Sequence, residues 1–175
     1  GQSGYRGFRI FVAYIARVER QQTEKMSTET RIERFGPADF DALTDLWEAS
    51  VRATHTFLLQ GEVERLRPMV RNACLESADI YGMRGQDGRP VAFSGVCGDK
   101  LEMLFVHPSF FGRGIGRVLV RHAADVLGVR FVDVNEQNTG AAVFYRRMGF
   151  AEISRDETDS QGMPYPVLHM ELVRR

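Results

Sequence analysis

Between Leu104 and Leu127 an apolar strand runs through a proline-marked turn into three alternating glycines and then into an amphipathic helix. The stretch reads Leu104-Phe105-Val106-His107-Pro108-Ser109-Phe110-Phe111-Gly112-Arg113-Gly114-Ile115-Gly116, followed by Arg117–Leu127. A strand–loop–helix unit of this kind confines the chain to folds in which a helix packs back onto a sheet. It also leaves the first N–H groups of the helix without intrahelical partners. Glycine lets the loop curl so that these donors converge, and it keeps side chains out of the way of an approaching anion. The helix dipole adds partial positive charge at the same place, which suits a phosphate or pyrophosphate. Arg113 and Arg117 add full charges beside it.

Three readings of the loop are open on spacing alone. A P-loop requires lysine and then serine or threonine after its last glycine; here Arg117-Val118 follows Gly116, which excludes it. A dinucleotide-binding turn would find its acidic partner in Asp133. However, the loop reads Gly-x-Gly-x-Gly, and His107–Phe111 separate it from the strand where a dinucleotide fold turns tightly. The third reading depends on the rest of the chain.

At 175 residues the chain suffices for one domain with a substantial core. Lys and Arg together number 23, as do Asp and Glu, so no net field draws it to nucleic acid or to a membrane surface. Two cysteines, Cys74 and Cys97, are too few for a disulfide framework, and no Cys/His spacing suggests a metal. A reducing, cytoplasmic setting is expected. Residues 1–25 differ in texture: an apolar run bracketed by Arg9 and Arg17 is too short to span a bilayer. Met26-Ser27-Thr28 reads like a natural start, so this segment is expected to be an extension, or else an added helix, ahead of a domain covering 26–175.

Within that domain the pattern predicts a strand over 30–35 and a helix opened by Gly36-Pro37. Phe40, Leu43, Leu46, Trp47 and Val51 form one apolar face of that helix. A second helical stretch over 61–75 should be kinked or split by Pro68. Strands over 79–84, 90–97 and 101–106, joined by short Gly/Asp connectors, should form antiparallel hairpins. After the glycine loop and its helix come a strand over 130–134, a helix over 139–148 capped by Gly149, and a last hairpin over 150–158 and 165–173. The expected class is α/β, a mixed, mostly antiparallel sheet of about seven strands flanked by about four helices.

Val106-His107-Pro108, Gly112-Arg113-Gly114-Ile115-Gly116, Asn138 and Phe144-Tyr145-Arg146-Arg147-Met148-Gly149-Phe150 together resemble the GNAT superfamily of N-acetyltransferases. The resemblance runs from about Met26 to the C-terminus and matches the expected order of elements. Two further segments, Ser50–His55 and Pro164–His169, resemble a bacterial subgroup whose acceptor is unassigned.

The resemblance implies that acetyl-CoA is the co-substrate, with no metal. The loop residues Phe111, Gly112, Arg113, Gly114, Ile115, Gly116 and Arg117 would hold its pyrophosphate. Phe111 departs from the Gln or Arg of the family pattern, which shifts the burden to backbone donors. Leu104, Phe105 and Val106 would pair with the pantetheine arm as an added strand does, and the Val106 N–H would face the thioester carbonyl. Asn138 would bind the cofactor near the start of its helix. Tyr145 shares that helix face and would act as the acid toward the departing sulfur.

Glu102 is the best-placed carboxylate for a general base; the expected strand alternation puts Leu101 and Met103 together on the opposite face. His55 and His169 could line an acceptor pocket, and Cys97 is expected to be a small buried hydrophobe. The implied reaction is transfer of the acetyl group to a primary amine of a small molecule or peptide within a ternary complex. Two alternatives remain at this point: a non-catalytic CoA-binding module and a dinucleotide-dependent oxidoreductase. The final strands and the N-terminal segment are the surfaces through which a homodimer could form.

Overall fold

The computed structural model describes residues 31–54 and 61–173. His55 and the N-terminal extension lie outside the described residues. Seven strands form one sheet: β1 (Glu33–Arg34), β2 (Asp79–Arg84), β3 (Pro90–Cys97), β4 (Lys100–Val106), β5 (Phe131–Asn135), β6 (Phe150–Asp156) and β7 (Val167–Leu172). Their spatial order is β1-β2-β3-β4-β5-β7-β6. Every neighbouring pair is antiparallel except β4 and β5. The antiparallel hairpins before the glycine loop rule out the all-parallel crossover sheet of a dinucleotide fold.

Helix α1 (Phe40–Thr54) follows a 3-10 turn at Pro37–Asp39, and α2 (Glu62–Met69) carries Pro68 inside it. Proline removes a donor from the helical ladder. Here the chain answers with a π turn over Val70–Cys74 before the short α3 (Leu75–Ser77), rather than with a break. Helices α4 (Ile115–Asp125) and α5 (Thr139–Arg147) complete the set. Among the described residues no helix is long and apolar enough to cross a membrane.

The sheet separates two cores. On one face α4 and α5 bring Ile115, Leu119, Val120, Ala141 and Tyr145 onto Leu104, Val106, Val132, Val134, Leu168 and Met170. On the other, Leu43, Leu46, Trp47, Val51, Leu66 and Val70 cover Ile80, Phe93, Met103 and Phe105. The order of the last two strands follows from their burial. Val167, Leu168 and Met170 are buried, so β7 takes the inner place, whereas β6 is exposed from Ala151 to Asp156 and forms a charged edge.

Two departures from regularity in β4 create the site. The first is a bulge. Gly95 pairs with Met103 and Val96 with Leu101, so Glu102 is the extra residue on β4. Alternation is therefore broken, and Leu101 and Met103 enter different cores instead of sharing a face as the sequence pattern predicts. The second is the brevity of the β4–β5 ladder. Among the described residues its pairs are Lys100 with Phe131 and Leu101 with Val132, and beyond them β4 has no described strand partner on its β5 side.

Candidate functional site

The unpaired stretch of β4 presents backbone groups in a known direction. His107 N–H donates to the Val91 carbonyl at 2.8 Å, and Val106 stands opposite Ala92. In an antiparallel ladder, residues alternately address the partner strand and turn away from it. His107 and Phe105 thus address β3, while Val106 and Leu104 turn their N–H and C=O groups toward the gap beside β5. All three residues from Leu104 to Val106 have buried side chains, so what they offer a ligand is backbone.

The glycine loop closes the end of that gap. Gly112 and Gly114 both have φ of +76°, and a Cβ on either would meet nothing within 4 Å. Their glycine requirement is thus one of backbone conformation, and the space above the loop is open. The N–H groups of Gly112, Arg113, Gly114, Ile115 and Gly116 make no backbone hydrogen bond with any described residue. Val118 is the first to bond back, donating to the Gly114 carbonyl at 3.2 Å.

Two residues of the loop carry other duties. Ile115 points into the α4 core, leaving only its N–H for a ligand. Phe111 packs against the same core and its N–H donates to the Pro108 carbonyl at 3.2 Å. It therefore anchors the loop with both its ring and its amide. The Arg113 guanidinium lies 4.9 Å from the Phe110 ring centre. Arg117, with Arg121 and Arg147, lines a groove of about 360 Å³ between α4 and the end of α5.

Helix α5 sets the two residues foreseen on it. Asn138 is its N-cap, and its Oδ1 accepts from the Ala141 N–H at 3.1 Å, which leaves the Nδ2 end for a ligand. Tyr145 is wholly buried, with its ring edge-on to Phe144 at 4.9 Å and Phe150 at 5.6 Å. Its hydroxyl has no hydrogen-bond partner among the described residues. Burial raises the phenol well above its ordinary pKa, so it is a donor and never a phenolate near neutral pH.

Glu102 sits on the bulge, one residue past the last β4–β5 pair, and half-buried near Cys74 and Cys97. Burial first, then the neighbouring Cys97 and Glu102, pushes the Cys74 thiol well above its ordinary pKa, so it stays protonated near neutral pH. Cys97, at the end of β3, is half-exposed rather than buried as expected, and its thiol donates to the Ser77 carbonyl at 3.2 Å.

His169 belongs to a network that spacing could not reveal. Its Nδ1 lies 2.6 Å from Asp133 Oδ1 and its Nε2 lies 2.8 Å from Asp156 Oδ2; Lys100 also pairs with Asp133. Burial pulls the imidazole pKa down, but the bonds to Asp156 and Asp133 outweigh it and the net shift is upward. Asn135, at the end of β5, was also missed. Its Nδ2 is buried without a partner among the described residues. A polar residue ending a Val-x-Val strand was the only available signal.

Residues 79–152 match the family model described as an acetyltransferase (GNAT) domain. The chain is 38% identical over 130 residues to the peptidyl-lysine N-acetyltransferase YjaB of Salmonella typhimurium, covering 74% of this chain and 89% of that protein. It is 25% identical over 138 residues to the peptidyl-lysine N-acetyltransferase YiaC of Escherichia coli, covering 78% and 94%. Among solved structures, the apo-form YjaB of Escherichia coli superposes with a TM-score of 0.74 at 35% identity, covering 83% of this chain and 98% of that one. An N-acetyltransferase from Thermoplasma acidophilum in complex with coenzyme A shares the fold, with a TM-score of 0.65 at 18% identity over 82% and 98%.

Proposed function

The chain belongs to the GNAT acetyltransferase family, and from that premise we propose that it moves the acetyl group of acetyl-CoA to a lysine side chain of a peptide or protein. The observation that carries the proposal is the edge of β4 beyond Leu101. Among the described residues it has no strand partner, it turns Leu104 and Val106 toward the gap, and it leads into Gly112–Gly116, whose N–H groups make no backbone hydrogen bond with a described residue. The names of the relatives support a peptide lysine as acceptor.

Each group then has one task. Gly112 to Gly116 bind the pyrophosphate through backbone donors, with Arg113 and Arg117 adding charge. Asn138 contributes its Nδ2 to the same ligand. Leu104 and Val106 pair with the amides of the pantetheine arm as a neighbouring strand would. The Val106 N–H also donates to the thioester oxygen as it takes up negative charge.

Lysine reaches the enzyme as an ammonium and must lose a proton before its nitrogen can attack. Glu102, at the bulge beside the gap, accepts that proton directly or through water. The nitrogen attacks the acetyl carbon, the carbon–sulfur bond breaks, and Tyr145 gives its hydroxyl proton to the sulfur. The second proton that the nitrogen sheds on becoming an amide restores Tyr145, and Glu102 releases the first to solvent, so the sum is acetyl-CoA plus ammonium giving amide, CoA and one proton.

The test is release of free thiol from acetyl-CoA in the presence of a capped Gly-Lys-Gly peptide, with the acetylated peptide identified by mass. Release that needs the peptide, and that Glu102→Gln slows without weakening acetyl-CoA binding, supports the reading. Saturable acetyl-CoA binding with no transfer would replace it with a non-catalytic CoA-binding module.

A further inference from the structure

Strands β5 and β7 are apolar on one side and carry polar residues beside Phe131 and Val167 on the other. Val132, Val134, Leu168 and Met170 face α4 and α5, so Asp133, Asn135, Val167 and His169 face the opposite way. On that side the ionic groups satisfy one another. Lys100 pairs with Asp133, Asp133 with His169, and His169 with Asp156, in a row crossing four strands.

Asn135 stands on the same side, two residues beyond Asp133, and is 2% exposed. Its Oδ1 accepts from the Gln137 N–H at 2.8 Å, which fixes the orientation of the amide. Its Nδ2 is therefore a true donor, buried and without an acceptor among the described residues. A buried donor left unbonded is costly, so its retention points to a partner that arrives with a ligand.

The position says which ligand. Asn135 lies on β5 past the point where β5 leaves β4, so it flanks the gap. It faces away from Tyr145 and the α5 core, on the side where α1 packs over β3 and β4. The groups assigned to the cofactor are β4 backbone and the α4–α5 side, which leaves the opposite side for the acceptor. An ammonium carries only donors and has nothing to offer a second donor.

We propose that Asn135 Nδ2 donates to an oxygen on the molecule that carries the acceptor amine, such as a peptide carbonyl. The enzyme then selects amines that bear an oxygen acceptor over bare alkylamines. The inference rests on the acetyl-transfer reading above and sharpens its substrate class.

The test compares capped Gly-Lys-Gly with pentylamine, which has a similar aliphatic arm and no oxygen. Wild type should prefer the peptide in kcat/KM. Asn135→Asp keeps the Oδ1 acceptor and turns the donor into an acceptor. It should lower that preference about tenfold, the scale of one hydrogen bond, through the peptide KM and not the acetyl-CoA KM. A buried carboxylate could harm folding, so a second measurement uses unmodified protein loaded with CoA. The side-chain amide resonances of Asn135 should shift on adding the peptide and stay in place on adding pentylamine. The proposal is overturned if those resonances move on CoA alone, or if the peptide binds without moving them. Failure of transfer to either amine would instead count against the acetyl-transfer reading, and the resonance measurement would still decide the role of Asn135.

Discussion

Tyr145→Phe deletes one oxygen atom and keeps the ring, so the structure predicts opposite effects on stability and on rate. The hydroxyl is buried with no partner among the described residues, and an unpaired buried polar group costs about 1–3 kcal/mol. The edge-on contacts to Phe144 and Phe150 involve the ring alone and survive the change. Removing the oxygen should therefore stabilise the ligand-free protein by about 1 kcal/mol, which for a chain of this size raises Tm by about 2–4 °C. The same change removes the proposed acid, and general acid catalysis contributes about 10²–10⁴-fold in rate. Acetyl-CoA affinity should hardly change, because the backbone donors are intact. The assay is a thermal melt of the ligand-free protein beside thiol-release kinetics on one preparation. A fall in Tm would mean that the hydroxyl has a structural partner. An unaltered kcat would remove Tyr145 from the chemistry.

Two other changes probe the loop and the polar row. Gly114→Ala puts a side chain on a residue at φ +76°, where it meets open space, so its penalty is conformational. The left-handed strain costs about 1–2 kcal/mol, partly offset by a less flexible unfolded chain. A net loss of about 1 kcal/mol and weaker acetyl-CoA binding by calorimetry are expected; a gain in Tm would contradict the geometry. His169→Gln removes a group whose pKa is raised in the folded protein. The stability it contributes is fully present below its ordinary 6.5 and lost as pH rises through the higher folded value. Urea unfolding of wild type and variant should thus differ most near about pH 5.5 and converge in alkali; a gap that widens with pH would contradict the network.

The glycine loop, the strand before it and the helix bearing Tyr145 were legible because each rests on local pattern: alternating glycines, an apolar run and helical spacing. The bulge at Glu102 was not. Leu101 and Met103 are both apolar, and only the register against Gly95 shows that they enter different cores. The Asp133–His169 pair joins residues 36 positions apart and needs the strand order in which β7 lies between β5 and β6. That order depends on the exposed, charged β6 taking the edge, a choice made by the assembled sheet. Asn135 was hidden for a related reason. A polar residue after Val134 reads equally as a solvated strand end or as a buried donor, and only tertiary burial separates the two. The π turn over Val70–Cys74 divides α2 from α3 just after Pro68, where the sequence predicts a kink or split, but its form depends on the contacts of Val70 and Cys74 with the core.

The central claim is that acetyl-CoA lies in the gap between β4 and β5 with its phosphates on the glycine loop. The most direct measurement is a titration of the protein with acetyl-CoA, followed through its backbone amide resonances. Saturable shifts should be largest at Leu104, Val106 and Gly112 to Gly116, whose N–H groups lack backbone partners on that side among the described residues. Saturable binding whose shifts fall elsewhere and spare these amides would contradict it.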